Sequence, residues 1–272
     1  MPIDDGHLIL SQEEAALFIQ QEPITEEMIR PYSGGKEFIN NSKRFCLWLV
    51  GVNPSNIKQS RLVLDRIAKT RKFRELSNRD ATKKLALVPS LFGEIRQPEN
   101  DYLLIPKVSS ENRAYIPIGF MKSDAITNGS ALIIPEAGFY EFGVLTSSMH
   151  MAWMRYTCGR MKSDYQYSAS LVYNNFPWPD TNYKQKDAIV KAANEVINAR
   201  AKFPDSTLAV LYDRNAMPPE LAKAHTKLDR LVEKTYGKSF ENDASRVAFL
   251  FKKYQQLTSD LFTKNTKKKK NA

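Results

Sequence analysis

Cysteine and histidine, which are abundant in disulfide-rich and zinc-binding proteins, are scarce in this chain. It holds only 2 cysteines and 3 histidines among 272 residues. The cysteines are too few for a disulfide framework, and the histidines are too dispersed for a zinc motif. No apolar run approaches the ~18 residues that cross a membrane, and residues 1–7, MPIDDGH, lack the features of a secretory signal. We therefore expect a cytoplasmic protein with free thiols at Cys46 and Cys158, and no membrane contact.

Short motifs that mark enzymes are missing too. There is no Gly-x-x-x-x-Gly-Lys-Ser/Thr loop to cradle nucleotide phosphates, and no Gly-x-Gly turn. No Asp…Glu-x-Lys arrangement is present that could hold Mg²⁺ for phosphodiester cleavage. Ser147, Ser148 and His150 lie close together, but no nucleophile elbow surrounds them, so we interpret His150 as a buried core residue. The sequence predicts no catalytic site, cofactor or metal in this chain.

Positive charge, by contrast, is abundant. The net charge is +10 at pH 7, which indicates an acidic partner, most often nucleic acid. The cations are densest over residues 58–84. Helical spacing places Leu64, Ile67, Ala68 and Arg71 on one face there. The solvated cations that project elsewhere are Lys58, Arg61, Arg66 and Lys69. Such a cationic face either contacts phosphates or is an ordinary solvated helix surface.

Hydrophobic periodicity and turn residues predict an α+β fold. We expect a mixed, mostly antiparallel sheet domain with packed helices, followed by an all-helical C-terminal module. Strands are expected at residues 8–10, 45–50, 85–88, 102–105, 115–118, 131–134 and 169–173. Helices are expected after the caps Ser11 and Ser55, near Thr25, within 58–84, and at 143–156, 184–201, 220–236 and 241–262.

Linear blocks in a fixed order carry a family resemblance. They are SSMHMAWMR (147–155), GRMKSDYQYS (159–168) and VYNNFPWP (172–179), preceded by PIDDGHLILS (2–11), PYSGGKEFIN (31–40), RFCLWL (44–49), PSLFGEIRQP (89–98) and SSENRAYIPIGF (109–120). With these blocks the chain resembles, nearly end to end, the target-recognition region of MmeI-like proteins. Those are bacterial type IIL restriction-modification enzymes, in which one polypeptide carries a nuclease, an adenine-specific DNA methyltransferase and a DNA-recognition domain.

The resemblance implies a division of the chain into four parts. Residues 1–35 would connect to a methyltransferase domain, 36–180 would form the target-recognition domain, 181–262 the helical C-terminal module, and 263–272 a disordered basic tail. S-adenosylmethionine and Mg²⁺ would belong to domains missing from this chain. The implied partners are double-stranded DNA and the methyltransferase domain of the same polypeptide, in the bacterial cytoplasm at the nucleoid.

The function that the resemblance implies is sequence-specific recognition of double-stranded DNA, which would place the methyltransferase over a flipped-out adenine for N6 methylation. Guanidinium and amide groups suit guanine and adenine edges. In loops 107–113 and 155–167, the candidates for base contacts are Asn112, Arg113, Arg155, Arg160 and Lys162. The candidates for phosphate contacts are Lys58, Arg61, Lys69, Arg71, Lys72 and Lys107.

Two questions stay open at this point. Tyr165 and Tyr167 either pack on DNA sugars or fill the core, and we expect the core for one of them. The alternative function is a helical protein–protein interaction module, built on the apolar helix 143–156 and the C-terminal helices. Salt separates the two functions, because DNA binding weakens steeply as salt rises and a hydrophobic interface barely responds.

Overall fold

Short strands and helices alternate as far as residue 180, and the chain is helical beyond it. This computed structural model describes the backbone of residues 1–270 and the side chains of residues 1–259. The helices are α1 Gln12–Gln21, α2 Gly35–Asn40, α3 Pro54–Gln59, α4 Arg61–Glu75, α5 Asp80–Lys84, α6 Phe139–Leu145, α7 Ser148–Thr157, α8 Tyr183–Ala201, α9 Leu208–Leu211, α10 Pro219–Thr235 and α11 Asp243–Lys270. The strands are β1 Ile9–Leu10, β2 Ile29–Ser33, β3 Phe45–Leu47, β4 Tyr102–Pro106, β5 Val108–Ser109, β6 Gly119–Met121, β7 Ile126–Thr127, β8 Ala131–Pro135, β9 Gly159–Met161 and β10 Asp164–Gln166. The α+β class with a helical C-terminal part is confirmed.

The chain divides into two units. The first contains Met1–Tyr102 and Phe120–Pro135, and the second contains Leu103–Gly119 and the chain from Glu136 onward. The second unit joins residues from both sides of position 180, where the sequence predicts a domain boundary. Of the basic tail predicted to be disordered, 263–272, the backbone as far as Lys270 belongs to α11, and its side chains lie outside the described residues.

The first unit is built on a four-stranded sheet in the order β1-β3-β2-β7. Its pairs are antiparallel except β2 with β7, and Ile9 lies opposite Cys46. The predicted cap Ser11 is confirmed, because its hydroxyl accepts from the Glu14 amide and the Glu14 carboxylate accepts from the Ser11 amide. Strand β3 is shorter than the predicted 45–50, since the chain turns at Gly51, whose φ of +78° suits glycine.

Helix α4 buries a different face from the predicted one. Val63, Thr70 and Arg74 are buried, whereas Leu64 is 40% exposed. Arg66 is half-buried, because its guanidinium pairs with the Glu14 carboxylate. The prediction was wrong for Leu64 and Ala68, which are exposed, whereas Ile67 packs against the core as predicted. Apolar spacing alone misplaced the face because the helix also packs through one arginine and one threonine.

Arg74 explains this packing. Its guanidinium is fully buried and donates five hydrogen bonds, all to backbone carbonyl oxygens. The acceptors are Pro2, Ile3, Leu85, Val88 and Leu91, at 2.7–3.0 Å. Residues 85–88, predicted as a strand, form a 3-10 turn at Leu85–Leu87 instead, which turns two of these carbonyls toward the guanidinium. Another local correction is that Asn53, not Ser55, caps α3, since the Asn53 side chain accepts from the Ser55 amide at 2.9 Å.

The second unit combines a three-stranded sheet, β5-β10-β9, with helices. Helices α6 and α8 approach closely at Gly143, where an added Cβ would lie 2.8 Å from Ile189 Cγ2. Trp153 of α7 packs on Phe251 of α11, with ring centroids 4.9 Å apart. These contacts are why the helices before and after residue 180 form one unit.

Three predicted elements of the second unit differ in the structure. The single helix expected at 143–156 is two helices, α6 and α7, because Ser147 is extended and opens a new helical N-terminus. Residues 115–118 form no strand, since Pro117 lacks an amide donor and the Ile118 carbonyl accepts from Arg200 instead. Residues 169–173 form a π-helical turn rather than a strand.

Candidate nucleic-acid interface

The two segments with the predicted base-contacting residues meet in one sheet. Strand β5, at the start of loop 107–113, pairs with β10, and β10 pairs with β9 within segment 155–167. Tyr165 is the central position, opposite Ser109 on one side and Arg160 on the other. Sequence separation hides this juxtaposition, because nothing in either segment specifies its partner strand. We call residues 107–113 the recognition loop and residues 159–166 the hairpin.

The recognition loop is a tight, hydrogen-bonded turn. The Arg113 amide donates to the Ser110 carbonyl at 3.2 Å, and the Asn112 amide donates to the Ser110 hydroxyl at 3.3 Å. The Glu111 amide reaches across to the Asp164 carboxylate of the hairpin at 3.4 Å. Glu111 and Asn112 are exposed at the tip, so the turn presents one acceptor side chain and one amide side chain to solvent.

The hairpin presents exposed side chains as well. Lys162 lies in its turn with a φ of +57° and is exposed. Arg160 is also exposed, and its guanidinium stacks over the Tyr165 ring at 4.3 Å and donates to the Ser163 carbonyl at 3.0 Å. Its aromatic partner therefore restrains the Arg160 side chain while leaving part of the guanidinium open to solvent.

Strand alternation adds a residue that the sequence reasoning missed. Tyr165 and Tyr167 are both buried, so the core reading is confirmed for both. Gln166 between them is exposed, because successive side chains on a strand point to opposite faces. It lies opposite Gly159, which leaves room for its amide. The alternating pattern DYQY was the signal that could have indicated Gln166.

Two predicted base-contacting arginines are engaged inside the protein. Arg155 is 22% exposed, forms an ion pair with Asp243 and donates to the Ala114 carbonyl at 2.7 Å. Arg113 is half-buried and donates to the Ser109 hydroxyl at 3.4 Å, and burial lowers the pKa of its guanidinium. Asn112, Arg160 and Lys162 are thus the predicted candidates that face solvent.

The predicted phosphate-contacting cations lie mostly on one helix of the first unit. Arg61 and Lys72 are exposed on the side of α4 opposite its buried residues, separated by eleven positions or three turns. Lys69 lies beside them and pairs with Asp65 at 2.7 Å. Arg71 is exposed on the other flank of α4, and Lys58 is exposed near the end of α3. Lys107 is in the second unit, half-buried before β5.

His150 is a core residue, as predicted. It is fully buried, its Nε2 lies 3.0 Å from the Tyr167 hydroxyl, and burial lowers the pKa of the imidazole to about 4. Cys46 and Cys158 are free, as predicted. The apolar runs around both predict buried thiols, which is confirmed for Cys46, whereas Cys158 is half-buried. Within residues 1–259, whose side chains are described, no group of three or more His, Cys, Asp or Glu could hold a metal, and no helix combines the length and apolarity that crossing a bilayer requires.

Comparison with known proteins identifies the family. Residues 1–180 match the model of the MmeI target recognition domain, and residues 181–262 match that of the MmeI C-terminal domain. DNA methyltransferase A of Bacillus subtilis (strain 168) is 40% identical over 259 residues, which are 95% of this chain and 29% of that protein. A solved structure of the type IIL restriction-modification enzyme MmeI in complex with DNA is 48% identical, with a TM-score of 0.92, and the match covers 95% of this chain and 35% of that one. The chain therefore spans about a third of the length of these relatives. It belongs to the MmeI target recognition domain family, with an MmeI C-terminal domain following the recognition domain.

Proposed function

We propose that this chain recognises a specific sequence in double-stranded DNA and so sets the target of a restriction-modification enzyme that methylates adenine at N6. The observation that carries the proposal is the sheet β5-β10-β9. It brings the recognition loop and the hairpin together, with the exposed side chains of Glu111, Asn112, Lys162 and Gln166. Membership of the target recognition family and the high similarity to an MmeI–DNA complex support it.

The dimensions and chemistry of this sheet suit the major groove of DNA. A two-stranded β-ribbon fits that groove, and the hairpin is such a ribbon with the recognition loop beside it. Asn112 and Gln166 carry amides that match adenine edges, Lys162 carries a donor that matches guanine, and the Glu111 carboxylate matches the cytosine amino group. Each good base contact would contribute about 1–3 kcal/mol of discrimination.

Phosphate contacts would come from the exposed cations of α4. Arg61 and Lys72 share one side of a rigid helix, and phosphate neutralisation requires little more than cations held on one side. Arg74 of the same helix is excluded from this role, because all of its guanidinium nitrogens donate to backbone carbonyls.

The methyltransferase and its S-adenosylmethionine, together with any Mg²⁺-dependent nuclease, would lie in other domains of the parent polypeptide. The limited coverage of the relatives, 29% and 35% of their lengths, supports this assignment. We expect the parent protein to work in the bacterial cytoplasm, where its DNA substrate is found.

The alternative is a helical protein-interaction module built on the apolar helix 143–156 and the C-terminal helices. Val144, Met149 and Trp153 are buried within the unit to which they belong, which argues against helix 143–156 as a free docking surface.

The test is selection of duplexes from a random-sequence library by the 272-residue chain at moderate salt, followed by sequencing of the bound fraction. We expect enrichment of one short motif. Asn112→Ala or Lys162→Ala should relax the preference at single base positions, while Lys184→Ala, an exposed cation far along the chain on α8, should leave the motif unchanged. Binding without enrichment, or no binding at low salt, would overturn the proposal for this chain.

A further inference from the structure

The segment directly after the tip of the recognition loop is held by the C-terminal helices. Arg155 of α7 donates to the Ala114 carbonyl at 2.7 Å, and the same guanidinium pairs with the Asp243 carboxylate at the start of α11. The backbone directly after the loop, at Ala114, is therefore connected through one arginine to a carboxylate that lies 129 positions later in the chain.

Tyr115 provides a second connection. Its hydroxyl donates to Asp229 Oδ2 on α10 at 2.6 Å, and its ring stacks on His225 of the same helix, with centroids 4.0 Å apart and planes at 20°. The other carboxylate oxygen of Asp229 accepts from the Ser148 amide at 2.7 Å, at the N-terminus of α7. One carboxylate thus fixes both the loop and the helix that carries Arg155.

Asp243 is itself held by an ion pair within α11, and the arginine of that pair also joins α11 to α10. Arg246 pairs with Asp243 at 3.0 Å and, through its Nε, with Glu233 of α10 at 2.7 Å. The Arg246 and Glu233 side chains are largely buried. Water therefore competes weakly with this pair, which locks α10 against α11.

Carboxylates would be repelled by DNA phosphates, so a role for Asp229 and Asp243 in recognition has to act through the loop. We propose that these two residues are positioning residues for base recognition. Through Tyr115 and Arg155 they set the conformation in which the loop presents Glu111 and Asn112. The inference rests on the proposed function and assigns to the C-terminal helices a part in sequence selectivity that involves no DNA contact.

The test uses two variants that remove one connection each. Tyr115→Phe removes the hydroxyl and keeps the ring on His225. Asp243→Asn removes the charge that holds Arg155, while Asn242 still caps α11 through its bond to the Ser245 amide. Glu195→Gln is the matched control, because it removes an ion pair between α8 and α10, with Lys227, that touches no part of the loop.

Three quantities are measured for each variant: the unfolding midpoint, the enriched motif from the duplex library, and hydrogen exchange of the amides of residues 110–116. We expect Tyr115→Phe and Asp243→Asn to remain folded and to exchange faster in that segment. We also expect about a tenfold loss of preference at the base positions that Asn112→Ala affects, with the positions that Lys162→Ala affects unchanged. Glu195→Gln should match the parent chain in all three quantities.

Three results would overturn the inference. Parent-like loop exchange and a parent-like motif in both variants, with Asn112→Ala still altering the motif, would overturn this positioning role and leave the proposed function standing. A parent chain that enriches no motif would overturn both. Uniform weakening on all duplexes would also contradict the positioning role, since loss of position should affect only the bases that the loop contacts.

Discussion

The cationic side of α4 and the sheet that carries the recognition loop solve different physical problems. On α4 the exposed cations Arg61 and Lys72 depend on nothing but the helix beneath them. In the sheet, the exposed side chains depend on strand pairing, on a turn residue with positive φ at Lys162, and on hydrogen bonds from distant helices. Charge on a rigid surface is enough to hold a phosphate, whereas contact with a base edge requires atoms at fixed positions.

The comparison also shows that an arginine in a basic segment can have either of two roles. Arg74 and Arg155 both lie in segments that the sequence assigned to DNA contact, and both donate to backbone carbonyls of their own unit. Substitution of these two arginines should therefore lower the stability of the fold or change the conformation of the recognition loop. Substitution of the exposed cations should change DNA binding alone.

The largest effect is expected for Arg74→Met. The substitution removes the guanidinium from five partly buried carbonyl oxygens. Those of Pro2, Leu85 and Val88 keep a backbone amide donor, whereas those of Ile3 and Leu91 lose the guanidinium donor. We expect a loss of about 3–5 kcal/mol in the free energy of unfolding. Urea titration of the chain measures it. Arg71→Met, on an exposed position of the same helix, should stay within about 0.5 kcal/mol of the parent. A loss below about 1 kcal/mol for Arg74→Met would mean that water replaces the guanidinium at these carbonyls.

The next effect is the loss of stability at acidic pH, which we expect to arise in the second unit. In the second unit, burial lowers the pKa of His150 to about 4 and that of His225 well below its usual 6.5. Each imidazole is neutral when folded and becomes protonated on unfolding below pH 6.5. The stability that His150 contributes is complete above pH 6.5 and is lost as pH falls toward 4, by about 3 kcal/mol in total.

Asp229 opposes this loss in part. Burial raises the pKa of its carboxyl to about 6, so the folded state binds a proton more readily than the unfolded state does, and stability rises as pH falls from 6 toward 3.8. The two histidines together outweigh it. Urea titrations between pH 7 and 4.5 should therefore show falling stability, with a smaller slope in His150→Gln. An equal slope in His150→Gln would contradict the assignment to His150.

Features of the fold and of the candidate site could be predicted where they depend on residues close together in the sequence. The capping box at Ser11, the helices at α8 and α10 and the buried His150 follow from short-range patterns, and the structure confirms them. The family resemblance likewise rests on linear blocks. A burial pattern of one or two turns in a helix is enough to place such elements.

Apart from the local cap at Asn53, the corrections that bear on the site concern residues whose partners are distant in sequence. Arg74 meets carbonyls of residues 2–3, Asp229 meets Ser148 and Tyr115, and β5 meets β10. The periodicity of α4 does not indicate that an arginine faces the core. The sequence of the recognition loop does not indicate that the hairpin pairs with it. The exposed side chains of the sheet, Gln166 among them, can be identified only when the strand pairing is known.

The smallest effect is expected for Lys72→Ala. It tests most directly whether α4 contacts phosphates while the sheet contacts bases. Removing one phosphate contact should weaken binding to all duplexes equally and reduce the slope of log affinity against log salt by about 1, with no change in the enriched motif. Asn112→Ala should do the reverse, with an altered motif and an unchanged salt slope. Fluorescence anisotropy at several salt concentrations, on the enriched duplex and on a scrambled duplex, measures both quantities.

If Lys72→Ala altered the motif, or if Asn112→Ala altered the salt slope, the assignment of phosphate contacts to α4 and of base contacts to the sheet would be wrong. An effect of Lys72→Ala no larger than that of Lys184→Ala would move the phosphate contacts away from α4.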